Sequence, residues 1–173
     1  MHSFLSPSSY HWLNYSDEKI IETFTTKKAA QRGTELHDFA AKSIELGIRL
    51  EETTQTLNQY VNDAIGFRMT PEQSLFYSPN CFGTADAISF HKNFLRIHDL
   101  KTGKTKASET QLYVYAAIFC LEYGFRPFDI EIECRIYQEG EIHIYEPDPK
   151  EIVYIIDKIK TFDRILTELN QTL

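Results

Sequence analysis

Two aspartates and a lysine lie in two neighbouring segments, 82–90 and 95–101, in which apolar and polar residues alternate. Asp86 belongs to the first segment, and Asp99 and Lys101 end the second. Two carboxylates held close together repel each other unless a cation or a proton lies between them, and hard divalent ions such as Mg²⁺ bind oxygen ligands. A lysine on the same face can neutralise charge that develops on a phosphate. This combination suits metal-assisted hydrolysis of a phosphodiester.

The two segments predict an antiparallel hairpin, because both have the period of a strand and few residues separate them. We expect a four-residue loop at 91–94, with Leu100 pointing into the core and away from Lys101. Cross-strand Cβ atoms then lie about 4.5 to 5.5 Å apart. The hairpin alone leaves an alternative open, in which Asp86 and Lys101 form an ordinary cross-strand charge pair. The predicted pairs are Phe90 with Leu95, Ile88 with Ile97, Asp86 with Asp99, and Thr84 with Lys101.

A predicted helix at 27–46 supplies a histidine. His37 lies on the same stripe as Ala40 and Ile44, so it faces inward. Gly33, one turn earlier, permits a close approach of backbone or ligand. A histidine in the core and a glycine at a helix start are the plainer interpretations of these two residues.

A second predicted helix, 109–122, directly follows the strand that ends at Lys101. Gln111 and Tyr115 are four residues apart and therefore share one face of this helix. A surface amide and a core tyrosine are the alternative interpretation. The helix ends near Gly124, which is a frequent stop signal.

The order of these elements predicts an α/β (α+β) domain that spans 1–173, with a central mixed sheet of about five strands flanked by helices. Glu139 and Gly140 form the turn of a second hairpin. The predicted helices are 27–46, 50–64, 109–122 and 148–169, and the predicted strands are 74–77, 82–90, 95–101, 130–136 and 142–144.

Composition limits the class of protein. No apolar run approaches the roughly 18 residues that a membrane span requires, and the first residues lack the pattern of a signal peptide, so we expect a soluble, cytoplasmic protein. Cys81, Cys120 and Cys134 include no C-x-x-C pair, which argues against a disulfide framework or a structural zinc site and favours buried thiols. The formal net charge of −7 means that any attraction to a polyanion must be local.

Four motifs follow one another on the predicted elements. Gly33 and His37 form G-x-x-x-H, Gly83 and Asp86 form G-x-x-D, Asp99 and Lys101 form D-x-K followed by Thr-Gly, and Gln111 and Tyr115 form Q-x-x-x-Y. In content and order they resemble the PD-(D/E)XK nuclease superfamily, in the branch of RecB-type nuclease domains, lambda exonuclease-like phage enzymes and CRISPR-associated exonucleases. The resemblance covers roughly 6–123.

The opening residues 5–13 are similar to phage-encoded members that begin S-x-S-x-x-x-W-L. In some relatives a cysteine follows and belongs to an iron–sulfur cluster, whereas Asn14 follows here, so we expect no iron–sulfur cluster.

The resemblance implies a restriction-endonuclease-like core and a metal-dependent deoxyribonuclease, most simply an exonuclease in recombination, repair or phage DNA metabolism. An endonuclease of the same fold and a catalytically inactive DNA-end-binding subunit remain alternatives. The implied cofactor is Mg²⁺ or Mn²⁺, and some relatives act with a single-strand annealing protein or as a homo-oligomer. The implied site consists of Asp86, Asp99 and Lys101 as catalytic residues, of His37, Asp86, Asp99 and the Leu100 carbonyl as metal ligands, and of Gln111 and Tyr115 near the DNA backbone.

Charged residues complete the expected DNA track. Arg32, Lys104 and Lys106 belong to two basic clusters and are expected to contact DNA. Glu35 is a possible extra acid, although a helix turns it about 200° from His37. The acidic residues of the second hairpin are expected to lie away from the DNA, because they would repel phosphate. These residues are Glu131, Glu133, Glu139 and Glu141.

Overall fold

The alternating segments form strands and the segments with helical spacing form helices in the computed structural model, which describes residues 2–173. The architecture is α+β, with one five-stranded mixed sheet flanked by helices, as predicted. The helices in these residues are α1 (Asp17–Leu46), α2 (Thr56–Gly66), α3 (Thr110–Tyr123) and α4 (Pro149–Thr172). The strands are β1 (Thr70–Ser78), β2 (Cys81–His91), β3 (Phe94–Lys101), β4 (Glu131–Gln138) and β5 (Glu141–Tyr145).

The strands follow chain order across the sheet, from β1 to β5. Neighbours pair antiparallel except β3 and β4, which are parallel. The central strand β3 separates two apolar clusters. Ile97 lies in the cluster that α3 and α4 cover, and Leu100 lies in the cluster with residues of α1 and α2. The prediction that Leu100 points into the core is confirmed.

The register of the β2–β3 hairpin is the predicted one, with Ile88 opposite Ile97. The predicted four-residue loop is wrong, because His91 pairs directly with Phe94 and only two residues make the turn. These two, Lys92 and Asn93, have φ angles of 51° and 61°. Positive φ at both positions is typical of a two-residue turn whose twist matches that of the strands.

The paired part of β2 and β3 ends earlier than predicted. Ala87 and His98 form the last pair, so Asp86 and Asp99 are not paired in the ladder, nor are Thr84 and Lys101. Beyond this pair the two strands diverge, which places the carboxylates at the open end of the hairpin rather than within it.

Three elements begin four or more residues away from their predicted starts. Helix α1 begins at Asp17 rather than 27, because the Ser16 hydroxyl accepts a hydrogen bond from the Lys19 N–H at 3.1 Å and caps the helix. The first half of α1 is mostly exposed, so it lacks the buried stripe on which the prediction of the second half was based. Helix α2 begins at Thr56 rather than 50. Strand β1 includes Pro71, which is tolerated because β1 is an edge strand.

The turn of the acidic second hairpin lies at the same edge of the sheet as the end of β3, and its position relative to DNA stays a prediction. Because β4 is parallel to β3, its last residue, Gln138, pairs with Lys101, and the following turn lies at the same edge. Glu139 lines a small cavity together with Lys101 and Lys104. Glu133 is buried and pairs with two arginines, so it does not contribute a free surface charge. Its partners are Arg96 and Arg135, each 2.7 Å away.

Two of the three cysteines, Cys120 and Cys134, are buried and free, and Cys81 is half-buried and free. Burial raises the pKa of Cys120 to about 11, which keeps this thiol protonated near neutral pH. Among residues 2–173, no helix has the length and apolar character needed to cross a membrane.

The two-residue turn yields a test of the hairpin. Lys92→Gly is expected to raise the free energy of unfolding by about 0.5–1 kcal/mol, because glycine relieves the cost of a positive φ. Lys42→Gly, inside α1, is the matched control and should lower it by about 0.5–1 kcal/mol. Urea denaturation measures both variants, and a loss of stability in Lys92→Gly would contradict the turn geometry.

Candidate functional site

Three elements converge on the peptide groups of Leu100, near the end of β3. The Leu100 N–H donates a hydrogen bond to Asp86 Oδ2 at 2.8 Å, and the Leu100 carbonyl accepts one from His37 Nε2 at 2.7 Å. His37 Nε2 also lies 3.4 Å from Asp86 Oδ2. The residues of α1, β2 and β3 that carry the motifs therefore meet at one point.

The divergence of β2 and β3 explains these bonds. Both backbone groups of Leu100 point toward β2, and β2 has left the ladder after Ala87. Buried N–H and C=O groups without partners cost free energy, so side chains must replace the missing strand. Asp86 supplies the acceptor and His37 supplies the donor.

Asp99 and Lys101 lie on the opposite side of β3 from the Leu100 side chain. Asp99 is buried, and its Oδ2 atom lies 3.0 Å from Lys101 Nζ. Apart from this ion pair, no donor among residues 2–173 is hydrogen-bonded to Oδ2. Lys101 Nζ also donates a hydrogen bond to Gln111 Oε1 at 3.1 Å.

The two carboxylates have pKa values shifted in opposite directions. Burial raises the pKa of Asp99, the neighbouring Asp86 carboxylate raises it further, and Lys101 only partly opposes this. Burial also acts to raise the pKa of Asp86, but hydrogen bonds from His37 and the Leu100 N–H outweigh it, and the net pKa is lowered. Asp86 is therefore the more acidic carboxyl of the pair.

His37 is positively charged in this arrangement. Its Nδ1 atom lies 2.8 Å from the Gly33 carbonyl and its Nε2 atom 2.7 Å from the Leu100 carbonyl. Carbonyl oxygens only accept, so both ring nitrogens must donate, which only the imidazolium can do. The hydrogen bond to Asp86 is the main cause that raises the pKa of His37 to about 9.

The residues at this point fit a hard divalent cation. Two carboxylates and a peptide carbonyl meet there, and the buried Asp99 Oδ2 atom is an acceptor whose polar contact is the Lys101 ammonium group. Oxygen ligands of this kind suit Mg²⁺ and Mn²⁺. His37 must lose its proton before it can act as a ligand. Within residues 2–173, no three His, Cys, Asp or Glu side chains form a ready metal cluster.

Two motif glycines are explained by close approach. A Cβ atom on Gly33 would lie 2.8 Å from Thr102 Oγ1, so a larger residue in α1 would force the Thr102 side chain at the end of β3 to shift. A Cβ atom on Gly83 would lie 3.0 Å from Cε1 of Tyr115. Tyr115 in turn donates a hydrogen bond to the Thr84 carbonyl at 2.9 Å. The glycines thus let α1 and α3 approach the site from two sides.

The remaining sequence predictions differ in outcome. Gln111 and Tyr115 contact site elements, as described above. Arg32, Lys104 and Lys106 are exposed, and none forms an ion pair with any residue in 2–173. Their contact with DNA stays a prediction. Glu35 is exposed and accepts a long hydrogen bond from Gln31, so the structure does not bring it into the site.

One acidic residue was missed by the sequence reasoning. Glu72 of β1 lies opposite Asp86, because the flanking pairs are Pro71 with Ala87 and Gln73 with Ala85. Burial raises the pKa of Glu72, the Asp86 charge raises it further, and the His37 charge lowers it. Glu72 also has a positive φ of 50°, an uncommon backbone conformation for this residue. The sequence signal for Glu72 was that it is an acidic residue just before the predicted strand 74–77, which pairs with the strand of Asp86.

Neither a protein-family model, nor a curated protein, nor a solved structure matches this chain. The functional interpretation therefore depends on the contacts around Leu100 and on the chemistry of the side chains that make them. The four motifs add a resemblance that these comparisons leave untested.

The charge on His37 predicts a dependence of stability on pH. Its pKa rises from 6.5 to about 9 on folding, so its contribution is complete below pH 6.5 and is lost as the pH rises through 9. Without divalent ions, the free energy of unfolding should fall by about 2 kcal/mol between pH 7 and 9.5. Urea denaturation with EDTA measures this fall. His37→Gln should remove it, and equal profiles for both proteins would contradict the imidazolium.

Proposed function

We propose that this chain is a Mg²⁺- or Mn²⁺-dependent deoxyribonuclease that hydrolyses phosphodiester bonds. The single observation that carries the proposal is the convergence of His37, Asp86, Asp99 and Lys101 around the Leu100 peptide groups. An ordinary cross-strand charge pair would need neither a buried Asp99 beside a partly buried Asp86 nor a histidine that donates to the Leu100 carbonyl. The biological setting that we propose is cytoplasmic processing of DNA ends in recombination, repair or phage DNA metabolism.

Each residue has a defined task in this proposal. His37 in its neutral form, Asp86, Asp99 and the Leu100 carbonyl would hold a Mg²⁺ or Mn²⁺ ion, which would supply Lewis acidity and lower the pKa of a bound water molecule. Asp86 is held in place by the Leu100 N–H, so its free carboxylate oxygen has a fixed direction. Lys101 is held between Asp99 and Gln111, where its ammonium group can orient water and stabilise charge on the phosphate.

Asp99→Ala and Lys101→Ala test this assignment. Both changes should lower the rate of DNA cleavage at least 10²- to 10³-fold, because Asp99→Ala removes a proposed metal ligand and Lys101→Ala removes the ammonium group that stabilises charge on the phosphate. Asp157→Ala and Lys160→Ala, two exposed positions on α4, are the matched controls and should leave the rate unchanged. EDTA should abolish cleavage, and added Mg²⁺ or Mn²⁺ should restore it.

Two outcomes would contradict the proposal in different ways. Activity that survives Asp99→Ala excludes the proposed site. If the unchanged protein binds DNA ends but cleaves nothing with either metal ion, the chain is the inactive end-binding module that we consider as the alternative.

The exonuclease assignment derives from the family resemblance and is a separate prediction. A pure exonuclease should degrade end-labelled linear DNA and leave covalently closed circular DNA intact, since a closed circle has no end. Gel analysis of both substrates under the same metal conditions measures this difference. Nicking or linearisation of the circle would favour the endonuclease alternative.

A further inference from the structure

One face of the β1–β2 ribbon carries two successive cross-strand pairs of different chemistry. Ser74 lies opposite Thr84, and Phe76 lies opposite Phe82. Glu72 and Asp86 occupy the next position along the two strands, where the regular alternation of faces is interrupted. The ribbon therefore presents a hydroxyl pair and an aromatic pair on one face, next to the strand position of the two acidic residues.

This face is open to solvent. Glu72, Ser74 and Phe76 are exposed and alternate with less exposed residues along β1, and Phe82 and Thr84 do the same along β2. The other face is covered by α3, since Tyr115 packs against Gly83. No helix covers the aromatic pair enough to bury it.

Both rings of the aromatic pair are largely exposed, although phenylalanine is a large apolar residue. Phe76 is 49% exposed and Phe82 is 65% exposed, and their rings are stacked with centroids 6.1 Å apart and an interplanar angle of 26°. Cross-strand aromatic pairs stabilise a ribbon, but that role does not require two rings to remain in water. Adjacent exposed rings of this kind mark a contact surface.

The aromatic pair is close to the proposed site. Phe82 and Asp86 are four residues apart on β2, which is about 13 Å at the rise of a strand. Stacked nucleotides in one DNA strand repeat about every 3.4 Å, so a segment of about four nucleotides spans this distance. A strand that enters the site at Asp86 can therefore reach the two rings.

We propose that Phe76 and Phe82 form a stacking platform for unpaired bases of single-stranded DNA, a proposal that rests on the nuclease function above. The bases of a duplex are stacked inside the helix, so only an unpaired base can lie on these rings. Neither β1 nor β2 contains a lysine or an arginine, and the neighbouring Ser74 and Thr84 are uncharged. The platform therefore binds bases by stacking and does not bind phosphate through charge.

Phe82→Leu and Phe76→Leu test the platform, because leucine keeps an apolar side chain but has no aromatic face. Binding of fluorescein-labelled oligo(dT) to the full chain in EDTA should weaken about 5- to 100-fold, the range expected for loss of base stacking. Phe128→Leu, at a residue 63% exposed in the turn before β4, is the matched control and should bind like the unchanged protein. Phe82→Tyr should retain binding.

A spectroscopic test separates stacking from phosphate contact. In a Trp12→Phe background, which removes the single native tryptophan, Phe82→Trp should lose fluorescence when oligo(dT) is added. An abasic oligonucleotide with the same number of phosphates should bind weakly and leave the fluorescence unchanged.

The outcomes distinguish this proposal from the nuclease function. The platform is excluded if Phe82→Leu binds oligo(dT) as well as Phe128→Leu does, or if the abasic strand binds equally. It is also excluded if sedimentation shows that Phe82→Leu abolishes self-association while DNA binding is unaffected. Because binding is measured in EDTA, absence of cleavage contradicts the nuclease function and does not affect the result for the platform.

Discussion

The arrangement of the site depends on one constraint, which is that the backbone groups of Leu100 need partners after β2 has left the sheet. Asp86 accepts from the N–H and His37 donates to the carbonyl, at 2.8 and 2.7 Å. Either bond alone would leave a buried backbone group unpaired, at a cost of about 1–3 kcal/mol. Satisfying both brings a carboxylate from β2 and an imidazole from α1 to the same point.

The side chain of Leu100 adds a second consequence. It is buried against Ala40, Tyr60 and Tyr137 in the cluster on the α1 and α2 side. Because side chains alternate, a buried Leu100 places Asp99 and Lys101 on the opposite face, beside α3. The buried Leu100 thus fixes two features of the site. Its backbone groups contact Asp86 and His37 at the β2 side of β3, and the Asp99–Lys101 ion pair lies on the sheet face that α3 covers.

Alternation and helical spacing were sufficient to predict the elements, the register of Ile88 with Ile97, and the inward direction of His37. They could not predict where β2 and β3 diverge, since that depends on the partners available to Leu100. The local sequence pattern also could not predict that β4 pairs parallel with β3, because this pairing depends on how the chain crosses over through α3. That pairing brought Glu139 to the Lys101 edge, and the pairing of β1 brought Glu72 opposite Asp86.

The charges around the site bear on how an acidic protein could hold a polyanion. His37 and Lys101 are each paired with an aspartate, and Glu139 lies at the same edge, so the site has little net positive field of its own. The exposed residues Arg32, Lys104 and Lys106, which are predicted to contact DNA, supply three positive charges in a chain of net charge −7, so their attraction of a duplex over long range is weak. For the proposed function, affinity must therefore arise from short-range contacts, namely ligation of the scissile phosphate through a divalent ion and stacking of bases on uncharged surface. Both contacts suit an unpaired DNA end better than an intact helix.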